Sequence, residues 1–282
     1  MLIRTERLAR VVYNDEDVDP REDGSIAIVL GTQSLPADAD LSAMYDVGIR
    51  IVSLAYDGTC AYGSGCMNLD VGLTLFGVET IRAMSELGLI LDLSHVSHRT
   101  AWEALNLIDD EQLPIGVMAS HSGCYDIYPH FRNLPDSILR RIADRGGVIG
   151  IPTLGFILHE EIYGMRQHAI DRDAFVRHFR HALNVCGVDA ITIGSDGTYT
   201  DADDEQGLKH FEMIRKQIDP HGTWGARYPD HPACFTGPKK LSAIRSFITF
   251  GSKLPAAQFD RIMGDNLSRF LKEHLPHYTM AA

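Results

Sequence analysis

The chain has 282 residues, 45% of them apolar and 23% charged, enough to bury a full-sized core. With 26 basic against 38 acidic residues its net charge is −12, which disfavours nucleic-acid backbones and anionic lipid as partners. No apolar run approaches the roughly 20 residues that cross a bilayer, so neither a nucleic-acid nor a membrane partner is expected.

The N-terminal segment, Met1 to Arg7, is charged and lacks the apolar stretch of a signal peptide. The five cysteines, at 60, 66, 124, 186 and 234, are odd in number and show no paired spacing. Cys60 and Cys66 flank a glycine-rich loop and offer a possible pair, but reduced thiols and a cytoplasmic location are the default expectation. The first apolar run, Ser25–Leu30, is followed by a second at Ile49–Leu54. Val78, Ile81, Met84 and Leu87 then recur at helical spacing. Further runs at Gly88–Leu93, Ile115–Ala119, Gly147–Ile151 and Ala190–Ile193 alternate with helical patterns. Pro135 and Gly146 bracket one such helix, and Phe175, Phe179 and Leu183 mark the next. His98, His159, His168, His178 and His181 read as solvent-facing. Residues 200–240 read as a long loop over the top of the fold, with an acidic run from Asp201 to Glu205. A last helical pattern, Phe259, Ile262, Met263, Leu267 and Phe270, is expected to pack on the outside.

Short, nearly continuous apolar strands alternating with helices imply a parallel sheet covered on both faces. No glycine-rich phosphate loop follows the first strand, which counts against a dinucleotide-binding sheet. Polar residues instead recur just beyond several strands: Gln33, Tyr56, Asp92 and His95, His121, and Asp196. In a barrel these positions converge on one rim, where barrel enzymes keep their sites. The expectation is one α/β domain, residues 1–282, folded as a (β/α)8 TIM barrel.

His95 and His121 each close an apolar strand and lie 26 residues apart, about one βα unit. Neighbouring strands would bring both imidazoles to one ion, although two histidines are fewer than the three protein ligands of an open zinc site. Each reads equally well as a hydrogen-bonded strand-end residue. Asp196 offers a carboxylate for proton transfer or ligation, or a simple turn before Gly197. Arg132, beside Asn133, suits a substrate carboxylate or an ordinary surface position.

Taken in order, several segments together resemble the membrane (renal) dipeptidase family, peptidase family M19. They are Gly72-Leu73-Thr74-Leu75-Phe76-Gly77, Asp92-Leu93-Ser94-His95-Val96-Ser97, Ala119-Ser120-His121-Ser122 and Arg132-Asn133-Leu134. Gly146-Gly147-Val148-Ile149-Gly150, Gly194-Ser195-Asp196 and Gly264-Asp265-Asn266-Leu267 continue the match. The resemblance implies a barrel of the metal-dependent hydrolase type that cleaves dipeptides with two zinc ions bridged by a glutamate. It casts His95 and His121 as ligands of one zinc, Arg132 as the group that binds the substrate carboxylate, and Asp196 as the aspartate beside the metals. Tyr56 falls where the family has a substrate-contacting histidine, and Asn133 adjoins Arg132.

The departures from the family pattern are specific. No His-x-Asp pair precedes the first clear strand, so the first strand of the barrel reads as missing or replaced. Gln33 stands where the family has its bridging glutamate, and a neutral amide cannot balance two dications. At most one zinc ion, or none, is expected, held by His95, His121 and Gln33, with Asp196 as the catalytic carboxylate. Two functions follow. One is a dipeptidase-like metallohydrolase acting on a dipeptide or small amide with a free carboxylate. The other is an inactive homologue that binds a small carboxylate ligand or a protein partner. A barrel short of one strand exposes two edges, so a homo-oligomer, or a surrogate strand from around Arg10–Asn14, is expected.

Overall fold

In a computed structural model of the protein, residues 9–68, 71–159, 167–197, 240–252 and 254–277 are described, with 209, 212–213 and 216 between them. The charged N-terminal segment, the Asp201–Glu205 run with most of its expected loop, Cys234 and the side chain of His168 lie outside the described residues.

Eight strands form: β1 Ala9–Val11, β2 Ile26–Ile28, β3 Leu30–Thr32, β4 Ile49–Val52, β5 Ile90–Asp92, β6 Val117–Met118, β7 Ile149–Ile151 and β8 Ile191–Ile193. Every ladder is parallel: β1 with β2, β3 through β6 in sequence order, and β7 with β8. Val29 alone separates β2 from β3, and an Ala119–Ile149 bridge joins β6 to β7. β2 and β3 follow one another along the chain rather than pairing, so β1, the β2–β3 stretch, β4, β5, β6, β7 and β8 lie side by side in chain order, the arrangement of a (β/α) barrel wall. Among the described residues no ladder joins β8 to β1. The expected surrogate strand is present, since β1 pairs with β2 and the Val12 amide donates to the Ile28 carbonyl at 2.9 Å.

The helices are α1 Leu41–Asp46, α2 Leu75–Leu87, α3 His98–Glu111, α4 Asp136–Asp144, α5 Gly155–Leu158, α6 Gln167–Cys186, α7 Lys240–Ser252, α8 Ala256–Asp260 and α9 Asn266–His274. A π turn, Arg261–Asp265, links the last two. Side-chain caps fix the starts of α2 and α3. Thr74 accepts from the Gly77 amide at α2, and Ser97 accepts from the Thr100 amide at α3, two residues after His95.

Alternation along the strands divides their side chains between two faces. Leu91, Val117, Ala119, Ile149, Ile151 and Ile191 pack with Ile81, Ala104, Ile138 and Phe175 of the surrounding helices. Ile90, Met118 and Val148 point the other way, onto Val12 and onto Phe270, Leu271 and Leu275 at the C-terminal end of the chain. The last helical pattern thus divides. Phe259 and Ile262 join the outer layer as expected, whereas Phe270 of α9 seals the opposite face of the strands. Asn266 anchors that helix by donating to the carbonyls of Val188 and Ile191, at 2.7 and 2.8 Å.

Three histidines expected at the surface are not there. His178 is fully buried, its Nδ1 accepting from the Cys124 amide and its Nε2 donating to the Leu158 carbonyl, both at 2.9 Å. It shares the inward stripe of α6 with Phe175, Phe179 and Ala182, at spacings of three and four residues. His159 is buried too, and His98 Nε2 donates to the Asn133 carbonyl at 2.7 Å. No helix among the described residues is long and apolar enough to cross a membrane.

Candidate metal centre

The site is built at the carboxyl ends of β5 and β6 around a buried carboxylate. Asp92 Oδ1 accepts from the backbone amides of Ser94 and Ser120, each at 2.9 Å, and so ties the two strand ends together. The Ser120 hydroxyl bonds the other oxygen of Asp92 and lies 2.6 Å from His121 Nδ1. Ser94 Oγ accepts from the His121 amide at 3.0 Å. Gly194, just past β8, makes room for this turn, since a Cβ there would fall 2.0 Å from the Ser120 carbonyl oxygen.

His95 is held differently. Its backbone adopts φ 72°, a left-handed conformation that disfavours a residue with a side chain, and Asp196 does the same at φ 52°. Such strain concentrates at functional sites. His95 Nδ1 lies 3.2 Å from Asp57 Oδ1, and Tyr56 stacks on the ring with centroids 4.0 Å apart.

These contacts decide the tautomers. Asp57 accepts the Nδ1 proton of His95. Because the Ser120 hydroxyl donates to Asp92, its oxygen accepts the Nδ1 proton of His121. Both Nε2 atoms then carry lone pairs, and they face each other at 2.9 Å. Two lone pairs at that distance repel unless a cation lies against them. Burial, together with the positive charge of Arg132, holds both imidazoles well below their usual pKa, in the neutral form that ligates metals. Carboxylate and hydroxyl partners on the far ring nitrogens are the usual outer support of metal-binding histidines. The donor set fits a transition metal.

Asp196 Oδ1 lies 3.9 Å from His121 Nε2. Desolvation raises its pKa to about 6, with Arg132 pulling it down and Asp92 pushing it up. Arg132 is 6% exposed; its Nη2 donates to the His121 carbonyl at 3.4 Å, and its Nη1 is buried with no protein partner among the described residues. His130 Nε2 is likewise unpartnered, and burial beside Arg132 lowers that ring to about 4. Asn133 Nδ2 donates to the carbonyls of Tyr128 and Ile157, which fixes the loop carrying Arg132.

The residues singled out from sequence therefore separate. His95, His121, Asp196, Arg132 and Tyr56 come together, and Asn133 supports them. Gln33 is exposed just past β3, two strands from β5, and no described contact joins it to either histidine. Asp57, Ser120 and Cys66 were missed as site residues. Cys66 lies against Asp57, its Sγ 3.3 Å from Oδ1, and it is free, as are Cys60, Cys124 and Cys186.

The sequence profile of membrane dipeptidase (peptidase family M19) matches residues 2–218. An uncharacterized dipeptidase of Schizosaccharomyces pombe is 33% identical over 185 residues, covering 62% of this chain and 42% of that protein. The chain spans about half the length of the curated relatives it matches, 42% of one and 58% of another. Among solved structures, an amidohydrolase from Pseudomonas aeruginosa superimposes with a TM-score of 0.78 at 25% identity, over 97% of this chain and 81% of that one. A metallo peptidase from Rhodobacter sphaeroides, liganded with a phosphinate mimic of the dipeptide L-Ala-D-Ala, gives 0.71 at 18% identity, over 94% and 69%. The fold is the TIM barrel of metal-dependent hydrolases.

Proposed function

The chain belongs to the membrane dipeptidase family, peptidase family M19, and from that premise we propose that it is a metal-dependent hydrolase of dipeptides or other small amides bearing a free carboxylate. The observation that carries this reading is the convergence of two neutral, buried imidazole nitrogens at 2.9 Å with a carboxylate alongside. Zinc, when bound there, supplies Lewis acidity at the reacting carbonyl.

The chain's own residues supply the rest. Arg132 directs an unpartnered N–H into the site and pairs with the substrate carboxylate. Asn133 holds the arginine loop in place, and Tyr56, partly exposed above His95, contacts the substrate at the entrance. Asp196, whose pKa of about 6 leaves it ionised at neutral pH, accepts a proton from the attacking water and returns it to the departing amine as the C–N bond breaks. Gln33 takes no part, so the centre is a mononuclear one held by His95 and His121.

The test is hydrolysis of a panel of dipeptides by the zinc-loaded protein, with Asp196→Asn alongside. Turnover in the wild type falling by about 10²-fold or more in the variant is expected. Equal turnover in both would remove Asp196 from the mechanism. The exposed Gln33 favours a second reading, a noncatalytic homologue that binds a small carboxylate ligand through Arg132. No hydrolysis with zinc, manganese or cobalt, together with Arg132-dependent binding of a dipeptide, would establish that reading instead.

A further inference from the structure

His95 has a second face. Its Nδ1, Asp57 Oδ1 and Cys66 Sγ lie within 4.8 Å of one another, with N–O and S–O separations of 3.2 and 3.3 Å. Ligands at about 2.0 Å (nitrogen or oxygen) and 2.3 Å (sulfur) around a tetrahedral zinc stand roughly 3.3–3.5 Å apart, so the group is already close to ligating geometry. Orienting His95 requires only the carboxylate. The thiol is an additional donor on an oxygen that already accepts from the imidazole. Buried free cysteines usually behave as small apolar residues, yet Cys66, 1% exposed, is set against a carboxylate.

The backbone holds it there. The Cys66 amide donates to the His95 carbonyl at 2.6 Å, and the Met67 amide to the Asp57 carbonyl at 3.0 Å. The Gly65 amide donates to Gly58, and Gly65 also bridges to Val96 in antiparallel fashion. A side chain at Gly65 could not be accommodated, because its Cβ would meet the Tyr56 carbonyl oxygen at 2.2 Å. The glycine-rich loop thus folds back on the end of β5 and delivers the sulfur to the imidazole.

We propose that Asp57, Cys66 and His95 Nδ1 form a second cation site, which takes a borderline transition metal such as zinc or cobalt through a thiolate. Binding releases the Cys66 thiol proton and the His95 Nδ1 proton to solvent. With both faces of His95 engaged, the ring bridges as an imidazolate. Two dications are then balanced by four negative charges: three on ligands (the Cys66 thiolate, the imidazolate and the Asp57 carboxylate) and one on the Asp196 carboxylate alongside. A thiolate selects zinc or cobalt over magnesium or manganese. The inference shares His95 with the mononuclear centre proposed above and raises its ion count from one to two. It does not depend on hydrolysis.

The experiment is titration of the metal-free protein with cobalt(II), followed by absorption. The wild type is expected to develop a near-ultraviolet thiolate-to-cobalt charge-transfer band that is lost in Cys66→Ser and retained in His121→Ala. Asp57→Asn, which keeps the side chain's shape, should weaken the titration of that band by roughly tenfold or more; it also supplies the answer if Cys66→Ser does not fold. Visible cobalt bands without a charge-transfer band in the wild type would overturn the second site while leaving the His95–His121 centre standing. The same band in Cys66→Ser would overturn it too. A band kept in His121→Ala, together with a metal-loaded wild type that hydrolyses no dipeptide, would uphold the site and remove the hydrolase reading. No cobalt binding at all would remove both.

Discussion

The two ends of the same strands are put to opposite uses. Towards the amino end of β5, Ile90, with Met118 and Val148 from the neighbouring strands, presents a purely apolar face, closed by Phe270 and Leu271 of α9. Two residues beyond Ile90, Asp92 and the turns beyond β5 and β6 gather buried polar groups, a left-handed histidine and donor atoms that have no partner among the described residues. The first end is packed for burial alone. The second holds the groups that the proposed cation and an anionic substrate would satisfy, the division expected between the bottom and the top of a barrel.

That contrast is broken most sharply by His121→Ala. Turnover should fall on the order of 10³-fold, about 4 kcal/mol of transition-state stabilisation, while the metal-free variant melts within a few degrees of the metal-free wild type. Steady-state kinetics and thermal melts of both proteins check this. Phe270→Ala should do the converse at the other end. Removing that ring from a fully buried position costs about 3–5 kcal/mol in urea denaturation, with metal affinity unchanged in the folded protein. A variant that lost its metal but not its stability would show that α9 supports the site rather than the fold.

The smallest effect sharpens the comparison by pH. His178 lies in the outer layer among the apolar side chains of α6, with its folded pKa lowered to about 4 by burial. The unfolded chain's histidine titrates near about 6.5. As pH falls below that value the unfolded state takes up the proton first, so the stability contributed by neutral His178 is present above 6.5 and lost towards 4. Between pH 7 and 5 it should amount to about 2 kcal/mol. Urea denaturation at both values should give a shallower pH dependence for His178→Gln than for the wild type by that amount. Parallel slopes would show that His178 does not carry the effect.

Much of this was legible in the sequence. Each described strand from β4 to β8 falls inside an apolar run, because strands covered on both faces need uninterrupted apolar residues. His95 and His121 were visible as polar residues closing such runs. Asp57 and Cys66 were not, because their approach to His95 depends on backbone bonds that fold the 57–67 loop back on itself, and loop geometry leaves no periodicity. Ser120 is one residue from His121, but its role depends on reaching Asp92 on the neighbouring strand. His178 was legible in principle. Its spacing from Phe175, Phe179 and Ala182 places it on the buried stripe, a signal outweighed by the charged residues on either side. The direction faced by α9 could not be read, since an amphipathic pattern does not say which face of a sheet it covers.

The central claim, that His95 is the shared ligand of a metal centre, is tested most directly by elemental mass spectrometry on protein purified without a histidine tag. At least one equivalent of transition metal per chain in the wild type, with none retained by His95→Ala, is the predicted result. No metal in the wild type after incubation with excess zinc, or the same content in both proteins, would contradict it.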